Sequence, residues 1–311
     1  METRLLGRTG IEVPVVGLGG APLAREDSSD ADALETVWAT LEAGVRFIDT
    51  SPFYGNERSE RLIGRALAER PDLTRGLVLS TKTGHYADHR DYSYDRTLRS
   101  VERSLTRLGR AYLSMVHIHD VYSSEELGQI MRYRAAHAAL LRLKEEGIIG
   151  AIGIGTRSLD ALQLAIDSGG FDVLMVANQY NLLEWAGKAV IESAARRGVG
   201  VIIAGAYGTG ILAKGPVPEA RYGYRQPDEG IMERTRRICE VCERWGASLP
   251  AVAIAFCLRG PASQAVMVLG ARGRRQAEQN VAWAAEPVPE GLWPELDEAL
   301  LGRRQHPMRP L

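Results

Sequence analysis

Eight short runs rich in valine and isoleucine recur along this chain of 311 residues, most of them preceded by a stretch with helical apolar spacing. They occupy residues 15–19, 46–49, 77–81, 115–119, 151–155, 173–177, 199–204 and 265–269. Such alternation is the signature of parallel βαβ units. The joints repeat: LEAG precedes VRFIDT, KEEG precedes IIGAIGIG, and ARRG precedes VGVIIAG, so Gly44, Gly147 and Gly198 stand where a helix ends in a left-handed turn. The runs are almost continuously apolar, as strands covered on both faces must be.

Eight parallel strands close into a barrel, whereas a doubly wound sheet more often stops at about six. The expected fold class is therefore α/β, a (β/α)8 TIM barrel forming a single domain over residues 1–311. Before the first run, TRLLGRTGIEV has the look of a β-hairpin turning at residues 8–10, a plug for the barrel's N-terminal face. Two connections are long, 121–134 after the fourth strand and 207–228 after the seventh, and both fall on the C-terminal face where barrel enzymes build their sites. The tail after Leu296, ending RRQHPMRPL, is expected to fray.

A formal net charge of -1 argues against a nucleic-acid partner, because neutralising phosphates needs a basic excess. The first ten residues hold Arg4 and Arg8 and no apolar stretch of the kind a signal peptide carries, and no window is long and apolar enough to span a bilayer. A cytoplasmic chain, monomeric or a small homo-oligomer, is expected. Cys239 and Cys242 have CxxC spacing, but in ICEVCERWG this is one turn of an amphipathic helix with no second ligand pair, so they read as structural and no metal is expected.

Ionisable residues at the C-terminal ends of barrel strands suggest chemistry, since burying a charge there is costly without a task. Asp49 ends the second run, Tyr54 follows it in DTSPFYGNERSE, Lys82 follows the third run in VLSTKTG, and His119 ends the fourth in MVHIHD. Neighbouring strands lie about 5 Å apart, so these four side chains can meet over one rim.

The quartet and its surrounding phrases resemble the aldo-keto reductase superfamily from about Leu5 to Trp283. FIDTSPFYGNERSERLIGRAL is similar to the segment holding the family's catalytic Asp and Tyr, VLSTKTG to its Lys strand and SMVHIHD to its His strand. GLGGAPLA, SYDRTLRSVERSLTRLG, AGAYGTGILAKGPVP and QNVAW resemble the bacterial D-threo-aldose or L-fucose dehydrogenase branch. The resemblance implies hydride transfer between a nicotinamide dinucleotide, NADP or NAD, and a carbonyl or carbinol carbon, with Asp49, Tyr54, Lys82 and His119 catalytic.

The chemistry has its own logic. A carbonyl gains negative charge on oxygen as hydride arrives and must be supplied with a proton. Free tyrosine, with a pKa near 10, holds its proton too tightly for exchange in both directions. A lysine ammonium about 4 Å away interacts with phenolate by about 4 kcal/mol at an effective dielectric near 20, enough to lower the phenol into a working range. Asp49 keeps that lysine charged and partly cancels its field at Tyr54. His119 serves as a neutral donor to the substrate oxygen, a role that depends on its tautomer. His117 points to the same side of the strand, but the family's functional His immediately precedes an acidic residue and only His119 precedes Asp120. His117 therefore reads as a barrel-interior imidazole satisfied by a neighbour.

Barrels commonly bind phosphate at the loops after strands seven and eight, against a helix N-terminus. VLGARGRRQAEQN fits, with Gly270 and Gly273 for close approach, cations at Arg272, Arg274 and Arg275, and a helix beginning near Arg274. The resemblance implies that this segment grips the adenosine phosphates, with Gln276, Gln279 and Asn280 near the adenine and its ribose. Gln276 and Gln279 replace the Arg and Glu frequent in NADP-preferring relatives, which leaves NAD and NADP both open. Asn178 and Gln179 are implied to hold the nicotinamide carboxamide and Tyr207 to stack on its ring. GIGIGT is a barrel strand rather than a Rossmann fingerprint, since no third glycine is in register.

The expected activity is an NAD(P)-dependent aldose 1-dehydrogenase that oxidises a sugar at its anomeric carbon to a lactone. The alternatives are an NADPH-dependent reductase of other aldehydes or ketones and a nicotinamide-sensing subunit. The small-molecule substrate would meet Pro22, Phe53, Tyr122, Tyr222 and Tyr224.

Overall fold

The computed structural model describes residues 1–260 and 264–301. Two short strands, β1 (Thr3–Leu5) and β2 (Glu12–Pro14), pair antiparallel. The strands β3 (Val16–Gly19), β4 (Phe47–Asp49), β5 (Val78–Thr83), β6 (Leu113–His119), β7 (Ile149–Thr156), β8 (Val173–Ala177), β9 (Gly200–Ala204) and β10 (Val266–Gly270) follow. These close into a barrel in chain order, β10 pairing with β3, and each pairing is parallel. The eight expected runs are thus the eight barrel strands, with ends displaced by a few residues. The displacement that matters is in β5, which extends through Lys82 to Thr83, so the lysine lies within the strand rather than after it.

The helices are α1 (Asp30–Glu42), α2 (Arg58–Glu69), α3 (Tyr94–Leu108), α4 (Ser124–Ile130), α5 (Ala136–Glu145), α6 (Leu159–Ser168), α7 (Lys188–Arg196), α8 (Ile211–Lys214), α9 (Glu229–Arg244), α10 (Leu249–Leu258), α11 (Arg274–Ala285) and α12 (Leu292–Leu301). Their starts are chemically marked. Ser29, Ser123, Ser158, Asp228 and Ser248 each accept a hydrogen bond from a first-turn amide, satisfying a donor that has no partner within its own helix. Gly44, Gly147 and Gly198 lie at positive φ just after α1, α5 and α7, so the repeated joint is a glycine stop followed by a strand. The long connection at 121–134 contains α4, and that at 207–228 contains α8. Residues 297–301 continue α12, so the tail does not fray at Leu296, while RRQHPMRPL lies outside the described residues.

The hairpin closes the barrel's N-terminal end. Leu6 is fully buried and joins Val13, Phe47, Val78, Met115, Ala151, Val173, Met175, Ile202, Val266 and Val268 in one apolar cluster. A side chain on Gly7 would stand 2.3 Å from the Gly200 nitrogen, and Arg8 donates its amide to the Gly198 carbonyl at 2.9 Å. Burying a leucine such as Leu6 contributes about 1.5–3 kcal/mol. With that end packed, polar side chains inside the barrel are directed to the C-terminal rim. No single helix among the described residues is long and apolar enough to cross a membrane. Cys239 and Cys242 lie one turn apart on α9, and burial pushes the Cys242 thiol up to about 12.

Candidate active site

Asp49 ends β4, Lys82 lies near the end of β5 and His119 ends β6, three successive strands, and Tyr54 follows β4 on the loop to α2. The fold therefore brings the four expected residues to one rim. Lys82 is 1% exposed and its Nζ donates to Asp49 Oδ2 and, at 2.8 Å, to the Thr50 carbonyl. Ser80 Oγ donates to the other Asp49 oxygen at 2.8 Å. Burial pushes the Asp49 carboxyl above its ordinary range, and Lys82 and Ser80 oppose that push. Both charges are compensated, the condition under which a buried pair is tolerated.

The lysine nitrogen sits 5.0 Å from the centroid of the half-buried Tyr54 ring. An isolated lysine and phenol would lower the phenol, as expected from the sequence. In the folded protein the direction reverses. Burial, followed by the charge of Asp49 and the neighbouring Tyr224 and Asp120, holds Tyr54 well above the ordinary tyrosine range. Burial leads, and the lysine does not reverse it because the paired Asp49 opposes its field at the phenol. The protein alone thus keeps Tyr54 protonated at neutral pH and ready to donate.

His119 is buried and stands edge-on to Tyr54 with ring centroids 5.9 Å apart. Burial first, and then the positive field of Lys82, holds it well below the ordinary histidine range, so it is neutral. Its tautomer follows from Ser51, a buried residue that sequence reasoning passed over. Ser51 Oγ accepts the Phe53 amide at 3.1 Å and lies 3.1 Å from His119 Nδ1. Among the described residues His119 Nδ1 is the one acceptor that the Ser51 hydroxyl meets, so Nδ1 accepts that hydrogen bond and the ring proton is left on Nε2. His119 is then a neutral donor. His85 was also missed. It follows β5, stacks on Phe53 with centroids 4.2 Å apart, and donates from Nδ1 to Asp120 Oδ2 at 2.8 Å.

His117 lies in the barrel interior as expected, but it is not satisfied. Neither ring nitrogen has a hydrogen-bond partner among the described residues, and a side chain on Gly153 would stand 2.1 Å from Nδ1. Burial and then the charge of Lys82 push it down to about 3, opposed by the Ile154 backbone.

The rim between β8 and β10 carries the residues expected to hold a dinucleotide. Asn178 and Gln179 follow β8, and Asn178 adopts a left-handed backbone at φ 56°. Its Oδ1 is buried with no hydrogen-bond partner among the described residues, and a side chain on Gly205 would come within 2.1 Å of it. An orphaned acceptor of this kind suits the amide protons of a nicotinamide carboxamide. The helix α11 starts at Arg274 behind Gly273 and has no side-chain cap, so its opening amides remain available to an anion. Arg275, Gln276 and Gln279 lie exposed on its first turns.

Other residues on this rim are already engaged. Arg272 reaches Asp27 Oδ2 at 2.8 Å, and its amide donates to the Gln276 carboxamide oxygen at 3.0 Å. Arg274 is drawn away from the rim by Glu35, Glu42 and Glu278. Tyr207 donates to Asn280 Oδ1 at 3.0 Å and stands edge-on to Trp283, while Asn280 donates to the Gly270 carbonyl at 3.1 Å. Tyr207 and Asn280 thus tie the loop after β9 to β10 and α11. Gly270 packs under Pro22, where a side chain would stand 2.6 Å from Cγ. Of the expected substrate contacts, Phe53 packs beside Tyr54 and His119, Tyr222 is buried, and Tyr122 and Tyr224 are exposed on the two long connections.

A model of the aldo/keto reductase family matches residues 15–301. The chain is 30% identical to pyridoxal 4-dehydrogenase of Microbacterium luteolum, covering 95% of this chain and 96% of that one. It is 32% identical to D-threo-aldose 1-dehydrogenase of a Pseudomonas species, covering 94% and 95%. A holo-form aldo-keto reductase from Bacillus halodurans superposes with a TM-score of 0.80 over 96% of each chain at 21% identity.

Proposed function

Because the chain belongs to the aldo/keto reductase family and is an NAD(P)-dependent oxidoreductase of small carbonyl or sugar substrates, we propose that it is an aldose 1-dehydrogenase. It would oxidise a sugar at the anomeric carbon and form a lactone. The observation that carries this is the meeting of Asp49, Tyr54, Lys82 and His119 on three successive strand ends, opposite the orphaned Asn178 Oδ1. The likeness to an aldose dehydrogenase favours the sugar as substrate.

A nicotinamide dinucleotide, when bound, would supply the hydride chemistry. Asn178 and Gln179 would hold its carboxamide, and α11 with Gly270, Arg272, Arg275 and Gln276 the adenosine phosphates, with Gln279 and Asn280 toward the adenine. Arg272 and Asn280 would exchange their present partners, and Tyr207 would have to leave Asn280 to stack on the ring. His119 Nε2 donates to the reacting oxygen and fixes its place. Tyr54 exchanges the proton with that oxygen, receiving it in oxidation and supplying it in reduction. Lys82 limits the charge cost of the phenolate, and Asp49 holds Lys82.

One observation favours a second reading, reduction of aldehydes or ketones with NADPH, because the protein keeps Tyr54 protonated. The proposal extends to a single barrel domain in the cytoplasm, in keeping with three free cysteines. A panel of pentoses and deoxyhexoses, followed at the nicotinamide absorbance with NAD and with NADP, tests it. Lactone and reduced dinucleotide should form in equal amounts. Consumption of reduced dinucleotide with ketones, together with no sugar oxidation, would select the second reading.

A further inference from the structure

Asp120 has no part in the quartet, yet the fold sets its carboxylate 3.7 Å from His119 Nε2, the atom assigned above to the reacting oxygen. It follows β6 in the left-handed region at φ 53°, which aspartate enters more readily than most side-chain-bearing residues. Its amide donates to the Gly155 carbonyl at 2.8 Å, and its carbonyl accepts from the Tyr92 hydroxyl at 3.1 Å. Its carboxylate accepts from His85 at 2.8 Å, and His85 is held against Phe53. The result is a fixed carboxylate whose Oδ2 lies 3.7 Å from His119 Nε2, too far for a direct hydrogen bond.

That placement works against the bare redox step. A negative charge beside the pocket opposes charge on the substrate oxygen and helps hold Tyr54 protonated. A second acceptor beside a donor makes sense for a substrate that brings a donor of its own. Consider an oxygen accepting from Nε2 at about 2.9 Å and a second oxygen donating to Oδ2 at about 2.7 Å. With 3.7 Å separating the two protein atoms, two oxygens one hydrogen-bond length apart can engage both when the two bonds converge on the substrate. Oxygens on adjacent carbons have that spacing when they lie on the same side.

We propose that Asp120 recognises a hydroxyl on the carbon next to the reacting carbon, so that the pocket selects substrates oxygenated at two adjacent carbons. This rests on the assignment of His119 as the oxygen-binding group. It defines the substrate class as vicinal diols, their cyclic hemiacetals and the hydroxy-carbonyls they interconvert with. A site built to bond a hydroxyl discriminates strongly against the analogue that lacks it, because its own polar group is then left unpaired.

The test uses Asp120→Gly, which suits the left-handed backbone, with Asp120→Ala as a second variant. Lactaldehyde and propanal, which differ only in the neighbouring hydroxyl, are reduced and followed at the nicotinamide absorbance. The wild type should favour lactaldehyde in kcat/KM by about tenfold or more. Both variants should lose that preference through lactaldehyde, leaving propanal unchanged or faster. Saturation-transfer NMR on the dinucleotide-loaded protein, comparing propylene glycol with propanol, reads the same preference without turnover. If the glycol preference is present and vanishes in Asp120→Gly while neither aldehyde turns over, the redox assignment fails and the hydroxyl site stands.

An unchanged preference in Asp120→Gly overturns the proposal. So does a wild-type preference removed by EDTA. His85, His119 and Asp120 place donor atoms within 4.8 Å of one another, and that result would assign the cluster to a metal ion instead.

Discussion

Replacing His117 with leucine should flatten the acid limb of the protein's stability. The imidazole is fully buried without a side-chain hydrogen-bond partner among the described residues and is pushed down to about 3, against 6.5 in the unfolded chain. Between those two values the unfolded state binds a proton that the folded state does not, so stability falls as the pH drops. Each pH unit in the window costs about 1.4 kcal/mol, and at pH 5 the loss from this one residue reaches about 2 kcal/mol. His119, also held neutral, adds a loss of the same sign in both proteins, and because His117 is the smallest of the contributions that hold it neutral, most of that loss cancels in the comparison. Urea unfolding at pH 7 and pH 5 measures it. The wild type should lose about 2 kcal/mol more than His117→Leu between these conditions, at equal m-values. Equal losses in the two proteins would refute the reasoning, and would mean that the imidazole finds a partner or a route to solvent.

Three further outcomes follow from the same geometry. Lys82→Met leaves Asp49 buried and unpaired, so it should lower stability by about 3–5 kcal/mol as well as abolish turnover, read by urea unfolding beside the kinetic assay. Ser51→Ala removes the hydroxyl that sets the His119 tautomer. It should lower kcat by about ten- to a hundredfold with little change in dinucleotide affinity, and nitrogen NMR of His119 should show loss of the Nε2-protonated form. Because Tyr54 is held well above the ordinary tyrosine range, kcat/KM for reduction should stay flat to about pH 9, whereas oxidation should rise with pH.

The barrel was legible because its signal is repeated. Glycine stops at Gly44, Gly147 and Gly198 and apolar strands mark a βαβ rhythm that no single segment could establish. The quartet was legible for a related reason: Asp49, Lys82 and His119 are ionisable residues inside otherwise apolar strands, where each stands out. What stayed hidden depends on partners distant in the chain. Ser51 and His85 are ordinary residues in loop sequences until the fold sets one against His119 and the other against Asp120 and Phe53. Arg274 and Arg275 are indistinguishable in the sequence, yet α1 presents Glu35 and Glu42 to the first and nothing to the second among the described residues. The direction of the Tyr54 shift was missed because a pairwise estimate omits desolvation, which is the largest contribution in the folded protein.

Single-turnover hydride transfer in Tyr54→Phe, with the best substrate from the sugar panel and with dinucleotide affinity measured in parallel, bears directly on how the proton moves. If Tyr54 exchanges that proton, transfer should slow by about a hundred- to ten-thousandfold while the dinucleotide still binds and the protein unfolds at the wild-type midpoint. Transfer within a few-fold of wild type would show that another group or a water carries the proton.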